Sequence, residues 1–451
     1  MMTEELIVNE IEKNKEEYIN FLRELIQTDS YNPPGNEKNV AIKIQSYLNS
    51  SGIKSEIFPF GENRANLIAY LNDNFKGKNL LYNGHMDVVP PGSEEDWKYH
   101  PLSAFVKRDK YIFGRGATDM KSGLAAMVIA LKILKELNMD VSGNLILNAV
   151  ADEETGGIFG TKWCLENKLT HFNIDFTVVG EPTGLDPLPK SVLLGEKGRL
   201  VVKIVTYGIS THASWPFMGK NAIYMMSEII EKLEKLDEYI PSVKPPFSIN
   251  QLKKLLSNAF PSEQIFEKIL AEQPMLQNIL KALTTFTKSL TVIHGGIKDN
   301  VIPDKCEAFI DMRLLPGQKV GSIIDGLIRL IKEDLGYEVS KDSKSKPNDI
   351  FVSIEIIQQS EGSFWKDWAD NPTLETLKKI IEEIYRKKSY YLIYPASQDA
   401  QFIRNGGYCP ATVSYGPGSG ASAHAVNEFV EIQDFLNSIK VYALFAYKFI
   451  K

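Results

Sequence analysis

The sequence predicts an α/β protein: a discontinuous domain with a mostly parallel, helix-covered sheet, interrupted by a smaller α+β domain. Three observations carry this expectation. At 451 residues the chain is longer than one hydrophobic core comfortably serves. Its first part alternates helical periodicity with short apolar runs, the signature of βαβ units and a parallel sheet. Its middle part changes to alternating apolar and polar residues in the order β-α-β-β-α-β, which describes a small sheet with helices on one face.

The elements follow in order. Residues 11–27 and 40–50 place apolar side chains at helical spacing, and residues 65–71 read as a strand. Residues 79–83 form a short apolar run ending in Gly84, a buried strand entering a loop. A strong helix over 123–137 leads to a strand at 144–151, a turn containing Gly157 and a strand at 176–180. In such a sheet, ligands bind at the carboxyl ends of the strands. The smaller unit then reads as a strand at 199–207, a helix at 222–236, strands at 289–294 and 306–313, a helix at 321–335 and a strand at 352–359. After residue 360 the first pattern resumes with a helix over 372–386 and short strands. The expected division is therefore 1–196 with 361–451 for the larger domain, and 197–360 for the inserted one. Within the latter, residues 241–288 read as an extra helical insertion, to which periodicity assigns no purpose.

Composition narrows the function. With 43% hydrophobic and 24% charged residues and a net charge of -6, the chain has no basic arm or stripe to bind nucleic acid. Lys341, Lys344 and Lys346 read as solvated surface in a polar loop. The three cysteines, Cys164, Cys306 and Cys409, show no paired spacing, so neither a disulfide framework nor a cysteine zinc site is expected. Residues 1–20 are acidic and amphipathic, unlike a secretory signal. No run reaches the roughly 18 to 20 apolar residues of a membrane span; residues 123–134 are interrupted by Lys132. A cytoplasmic protein without a membrane partner is the expectation.

Four segments place acidic residues or histidine where a strand should end. In Asn83-Gly84-His85-Met86-Asp87, His85 and Asp87 point to one side of an extended segment. A ligating imidazole needs its other nitrogen held, and Asp87 is placed to do so. A glycine-rich loop, Gly114-Arg115-Gly116-Ala117-Thr118, delivers Asp119 just before a helix. Asp152-Glu153-Glu154 ends an apolar strand, and Gly180-Glu181-Pro182 ends another. Each alone has an ordinary explanation: a hydrogen-bonded turn, a helix cap or a surface carboxylate. Four together, where an α/β sheet builds its site, point to a divalent metal, because hard and borderline ions take this mixture of histidine and carboxylate.

On these motifs the chain resembles the aminoacylase/carboxypeptidase family of cocatalytic zinc hydrolases. That family includes acetylornithine deacetylase, succinyl-diaminopimelate desuccinylase, glutamate carboxypeptidases and some dipeptidases. The likeness runs in order along nearly the whole chain except residues 241–288. The resemblance implies two divalent ions per chain, with zinc the first choice and cobalt or manganese also suited. His85 and Glu181 would bind one ion, Glu154 and His424 the other, with Asp119 between them. His424 lies in Ser422-Ala423-His424-Ala425-Val426-Asn427-Glu428, which matches the family's closing motif. Glu153 would be the general base, acting on a water that bridges the two ions and attacks an amide carbonyl.

The resemblance extends to the smaller domain, which would serve dimerisation and act as a lid. His212, in Ser210-Thr211-His212-Ala213-Ser214, would steady the oxyanion in the active site of a partner subunit, making the enzyme a homodimer. From the residues alone His212 is a loop histidine bonded locally. Arg313 would grip a substrate carboxylate in two-pronged fashion, although an ion pair with Glu307 or Asp311 on its own strand face explains it equally. Asn300 matches a position near the substrate, and Gly418 and Ser419, in Gly416-Pro417-Gly418-Ser419-Gly420, would offer N–H groups to a carboxylate or form an ordinary turn. Two departures blur the subfamily: Ser122 stands where many relatives have glycine, and Ser397-Gln398-Asp399-Ala400 where many have Thr-Asp-Ala.

Three functions compete. The first is a deacylase acting on a small N-acyl amino acid. The second is a dipeptidase or carboxypeptidase using the same two-metal chemistry on a short peptide. The third is an inactive metal- or ligand-binding protein, disfavoured because a binding protein has no use for Glu153.

Overall fold

Asn79–His85 and Asn144–Val150 are buried at every position, and strands buried on both faces require cover on both sides. The computed structural model describes residues 3–72, 77–185, 188–258, 260–340 and 349–451; the lysines at 341, 344 and 346 lie outside them. Strands of the two principal sheets are numbered here in chain order. Those of the larger are β1 (Ser55–Pro59), β2 (Ala65–Tyr70), β3 (Asn79–His85), β4 (Asn144–Val150), β5 (Phe176–Val179) and β6 (Ser191–Glu196). The smaller contains β7 (Gly198–Tyr207), β8 (Thr287–Gly295), β9 (Lys305–Leu314), β10 (Val339–Ser340) and β11 (Phe351–Ser360). The chain then re-enters the larger sheet with β12 (Ser363–Phe364), β13 (Tyr390–Tyr394) and β14 (Thr412–Ser414).

The nine-stranded sheet runs β1-β2-β4-β3-β5-β14-β6-β12, with β13 beside β6. Its centre is parallel, β4, β3, β5 and β14 pairing in sequence. Antiparallel strands close its margins. Helix Lys121–Glu136, almost wholly buried, covers one face together with Ile432–Ile450. The sequence pattern does not reveal that last helix or β6. Ile432–Ile450 is buried nearly all round, so it has no polar face to give a 3.6-residue period.

The five-stranded sheet runs β8-β9-β7-β11-β10. Burial alternates strictly along β9, as a sheet with one covered face requires. Helices Ala222–Lys232 and Val320–Leu335 supply that cover, meeting Leu200, Val202, Ile204 and Ile310 in a separate core. The expected helix over 222–236 breaks at Leu233 into a 3-10 turn and a short helix, Leu236–Tyr239. Edge strand β8 is exposed along most of its length.

The insertion forms three helices, Ile249–Ser257, Glu263–Glu272 and Pro274–Thr284. Ser248 caps the first in a reciprocal box with Gln251, and Ser262 caps the second. Although this segment lies in sequence between elements of the small sheet, its apolar residues Phe247, Leu252, Leu256, Phe266, Leu270 and Leu280 join the core of the large one. Phe247 packs edge-on against Phe364 and Trp368. Each such side chain, fully buried, contributes about 1.5–3 kcal/mol. No helix among the described residues is long and apolar enough to cross a membrane.

One close approach ties the fold to the site. A Cβ on Gly123, in the first turn of Lys121–Glu136, would lie 2.0 Å from the carbonyl oxygen of Gly180. Gly123→Ala must push the helix off the strand end that carries Glu181. A loss of at least about 2 kcal/mol is expected for such overpacking, read by denaturant unfolding; an unchanged midpoint would contradict this packing.

Candidate metal centre

The parallel strands end on one side, and their ends bring the candidate residues together. His85 is the last residue of β3; Glu153 and Glu154 follow β4; Glu181 follows β5. Asp119 lies just ahead of helix Lys121–Glu136, joined to Met120 by a cis peptide. His424 arrives from the loop after β14 with a left-handed backbone, φ +60°. His85 Nε2 lies 3.1 Å from Asp119 Oδ1 and 3.7 Å from Glu181 Oε1. His424 Nε2 lies 3.3 Å from Asp119 Oδ2 and 3.1 Å from Glu154 Oε2. Among the described residues three donor groups have their ligand atoms within 4.8 Å of one another: His85-Asp119-Glu181, Asp119-Glu154-His424 and His85-Glu153-Glu154. The first two use separate donors apart from Asp119. They share Asp119, one oxygen turned to each. Mixed imidazole and carboxylate donors at this spacing fit a pair of divalent ions.

Surrounding residues hold these groups in place. His85 Nδ1 lies 2.8 Å from the carbonyl oxygen of Asp87, whereas the Asp87 carboxylate is 3.6 Å away. Asp87 thus meets the ring nitrogen with its backbone carbonyl at hydrogen-bond distance, its carboxylate standing further off. The buried Asp87 carboxylate instead accepts from Asn32 at 2.8 Å and from the N–H groups of Glu153 and Glu154 at 3.3 and 3.2 Å. It therefore sets the turn that aims both glutamates. Glu428 does the same for Asp119. It accepts from Arg115 Nη1 at 2.7 Å and from the N–H groups of Gly116, Thr118 and Asp119 at 3.1, 2.8 and 2.9 Å. Because it lies four residues after His424, Glu428 couples the two loops.

Electrostatics reflects the crowding. Burial raises Glu153 and Glu181 well above the ordinary carboxylate range, and raises Glu154 too. Burial opposes the charge on His85, but the Asp119 hydrogen bond and the charges of Glu181 and Glu153 outweigh it and hold the imidazole well above its usual value. His424 is pushed up to about 10 by its bonds to Asp119 and Glu154. Asp119, despite burial, is lowered by hydrogen bonds from His424 and His85.

A cavity of about 400 Å³ opens between this cluster and the small sheet, and Arg313 lines it. Arg313 Nε donates to Asp311 at 2.6 Å, so the ion pair read from the sequence is present, along its own strand, while the residue still faces the cavity. Sequence reasoning missed Arg199, Tyr394, Gln398 and Asp399, which line the same space. Arg199 lies directly opposite Arg313 in the β7-β9 register and also binds Asp311, at 2.8 Å. Asp399 follows β13 much as Glu181 follows β5, a signal the strand-end logic had available. Its carboxyl, bonded to Thr161 at 2.7 Å, is pushed up to about 7, chiefly by burial.

Other expected residues lie elsewhere. His212 and Asn300 are neighbours in the small unit, His212 pairing with Val301 and the Ala213 N–H reaching the Asn300 carbonyl at 2.9 Å. Both are exposed and neither lines the cavity. His212 bonds locally to Ser214 at 2.7 Å. Gly418 and Ser419 do not line it either. The Gly418 N–H is taken by Asp434 at 2.8 Å and its carbonyl by Lys190 at 3.0 Å. Its φ of +86° and the proximity of Thr118, 2.8 Å from a built Cβ, make it a structural glycine.

The fold and the cluster together define a metal-dependent hydrolase. The chain belongs to peptidase family M20/M25/M40, which residues 81–448 match. It is 27% identical over 440 residues to a probable succinyl-diaminopimelate desuccinylase of Staphylococcus aureus (strain MRSA252), covering 97% of this chain and 98% of that one. It is 34% identical over 407 residues to the succinyl-diaminopimelate desuccinylase of Wolbachia sp. subsp. Brugia malayi (strain TRS), covering 89% and 86%. Among solved structures it resembles an M20 family metallo-carboxypeptidase from Sulfolobus solfataricus, at TM-score 0.74 and 22% identity over 96% of this chain and 98% of that one. It also resembles a dinuclear metal-binding peptidase of Bacillus subtilis, at TM-score 0.63 and 14% identity over 97% and 99%.

Two outcomes are expected. Glu428→Ala should weaken metal binding by roughly 10- to 100-fold without unfolding the protein, measured by competition with a chromophoric chelator; wild-type affinity would remove Glu428 from this role. His424, pushed up to about 10, carries a proton at neutral pH that an incoming cation must displace. Zinc titration of the metal-free protein should therefore release protons, seen as a binding heat that changes with buffer ionisation enthalpy, and a buffer-independent heat would contradict that protonation state.

Proposed function

We propose that this chain is a deacylase that hydrolyses the amide bond of a small N-acyl amino acid. The observation that carries the reading is Glu153 beside two metal-type donor groups, facing Arg199 and Arg313 across one cavity. His85, Asp119 and Glu181 hold one ion in this reading, and Asp119, Glu154 and His424 the other. Two divalent ions, zinc on the histidine-carboxylate donor set, supply Lewis acidity that polarises the carbonyl and lowers the pKa of a water. Glu153 takes the proton of the attacking water and returns it to the leaving nitrogen. Its neighbour Glu154 turns to His424, so the Asp87-anchored turn sends one carboxylate to metal and the other to substrate. The facing arginines take a carboxylate of the substrate, with Asp311 bonded to both guanidiniums.

The domain boundaries proposed are 1–196 with 361–451, and 197–360, the insertion helices being packed on the former. A homodimer is proposed as the working unit. It is supported by the exposed edge strand β8 and by exposed Trp215, Phe217, Met218 and Ile297 near His212. In that assembly His212 and Asn300 approach the partner's cavity. A second reading, a carboxypeptidase or dipeptidase, is favoured by the likeness to the Sulfolobus enzyme and uses the same groups.

A panel of N-succinyl- and N-acetyl-amino acids and short peptides, assayed with zinc, cobalt or chelator, tests the choice. Turnover of N-acyl amino acids alone supports the deacylase, and cleavage of peptides alone overturns it. Glu153→Gln should retain its metals and lose about 10²–10⁴-fold in turnover. Mixing inactive His212→Ala with inactive Glu153→Gln should restore activity through hybrid dimers; no recovery after subunit exchange would contradict a trans-acting His212.

A further inference from the structure

The inserted helices take no part in this chemistry, yet one contact of theirs bears on it. The chain crosses from the large sheet to the small one at Glu196-Lys197-Gly198 and returns at residues 360–362. The two crossings touch: a Cβ on Gly198 would lie 2.4 Å from the Ser360 carbonyl oxygen, and the Arg199 N–H donates to Ser360 Oγ at 3.0 Å. Lys197, at the middle of the first crossing, is 1% exposed. Its ammonium donates to the carbonyl oxygens of Ala282 at 2.8 Å and Thr285 at 2.7 Å. These carbonyls end the inserted helix Pro274–Thr284, where a cation is favoured.

A buried ammonium is costly unless its placement serves something. Among the described residues no carboxylate pairs with Lys197. Burial, together with the nearby charge of Arg313, draws its pKa down to about 8. Its backbone N–H is bonded to the carbonyl of the cavity-lining Tyr394 at 3.0 Å. Two residues on stands Arg199, opposite Arg313. Just past Thr285 the chain enters β8, which pairs with β9, the strand of Arg313. A shift at this crossing therefore moves both arginines together, relative to a metal cluster fixed to the large sheet.

We propose that Lys197 is a positioning residue. By fastening the inserted helices, which belong to the large-sheet core, to the crossing that carries Arg199, it sets the distance between the arginine pair and the metal cluster. The insertion is thus a strap from the body of the enzyme to its smaller unit. The proposal rests on the reading that Arg199 and Arg313 take a substrate carboxylate. Misplacement of such a grip falls on substrate binding, and displacements near 1 Å cost up to about 10²-fold.

The test uses full-length, metal-loaded Lys197→Met, which keeps the apolar volume and removes the donors, beside Lys197→Arg, which keeps donors. Substrates are the best-turned-over member of the panel and the same compound with its carboxylate converted to a primary amide. Lys197→Met is expected to raise KM for the carboxylate at least about tenfold with kcat changed less than about threefold. It should leave the amide unaffected, and Lys197→Arg should recover part of the loss. Hydrogen exchange should quicken at residues 274–287 and 196–200 only. Local exchange without a change in KM would make Lys197 merely structural, and faster exchange throughout the large-sheet core would make it a folding residue; either overturns the proposal. Equal turnover of acid and amide by wild type would overturn the arginine reading itself, and this inference with it.

Discussion

Four carboxylates and two imidazoles share a few ångströms where three parallel strands and two loops meet, and three of the six, His85, Asp119 and Glu181, are buried. Like charges at such distances in a poorly solvated place cannot all ionise unless cations lie among them. The rest of the molecule follows from that constraint. The parallel sheet is needed to bring three strand ends to one edge. Helix Lys121–Glu136 must sit close on Gly180 to deliver Asp119 between the others. A further tier of buried acids, Asp87 and Glu428, spends its acceptors on backbone N–H groups of the ligand-bearing turns rather than on metal.

That tier marks the limit of what the sequence disclosed. The strand-end positions of His85, Glu153, Glu154 and Glu181 were legible, because strands and acidic punctuation both leave local patterns. Asp119 was legible from the glycine-rich loop that precedes its helix, and His424, on a chain segment far away, only through resemblance. For Asp87 only its nearness to His85 was legible. The spacing told that it stood near His85, but which of its oxygens faces the ring depends on a turn that spacing does not encode. Gly418 looked like a ready source of an N–H group, and the residue that accepts it, Asp434, sits on a segment with no visible relation to it.

The cavity was the least legible part. Arg199 and Arg313 come from strands more than a hundred residues apart and meet only through the β7-β9 register. The insertion misled in another way. Its helical character was plain, but contiguity with the small unit suggested membership there, whereas its leucines and phenylalanines pack with the large sheet. Amphipathic periodicity says that a face is buried, not which core buries it.

The central claim is that Asp119 links two metal sites built from otherwise separate donors. Metal content per chain, measured after equilibrium dialysis against zinc for wild type, Glu181→Gln and Asp119→Asn, tests it most directly. About two ions are expected for wild type, about one for Glu181→Gln, and fewer than about one for Asp119→Asn, since the shared ligand serves both sites. Asp119→Asn retaining two ions while Glu181→Gln also retains two would contradict the arrangement described here.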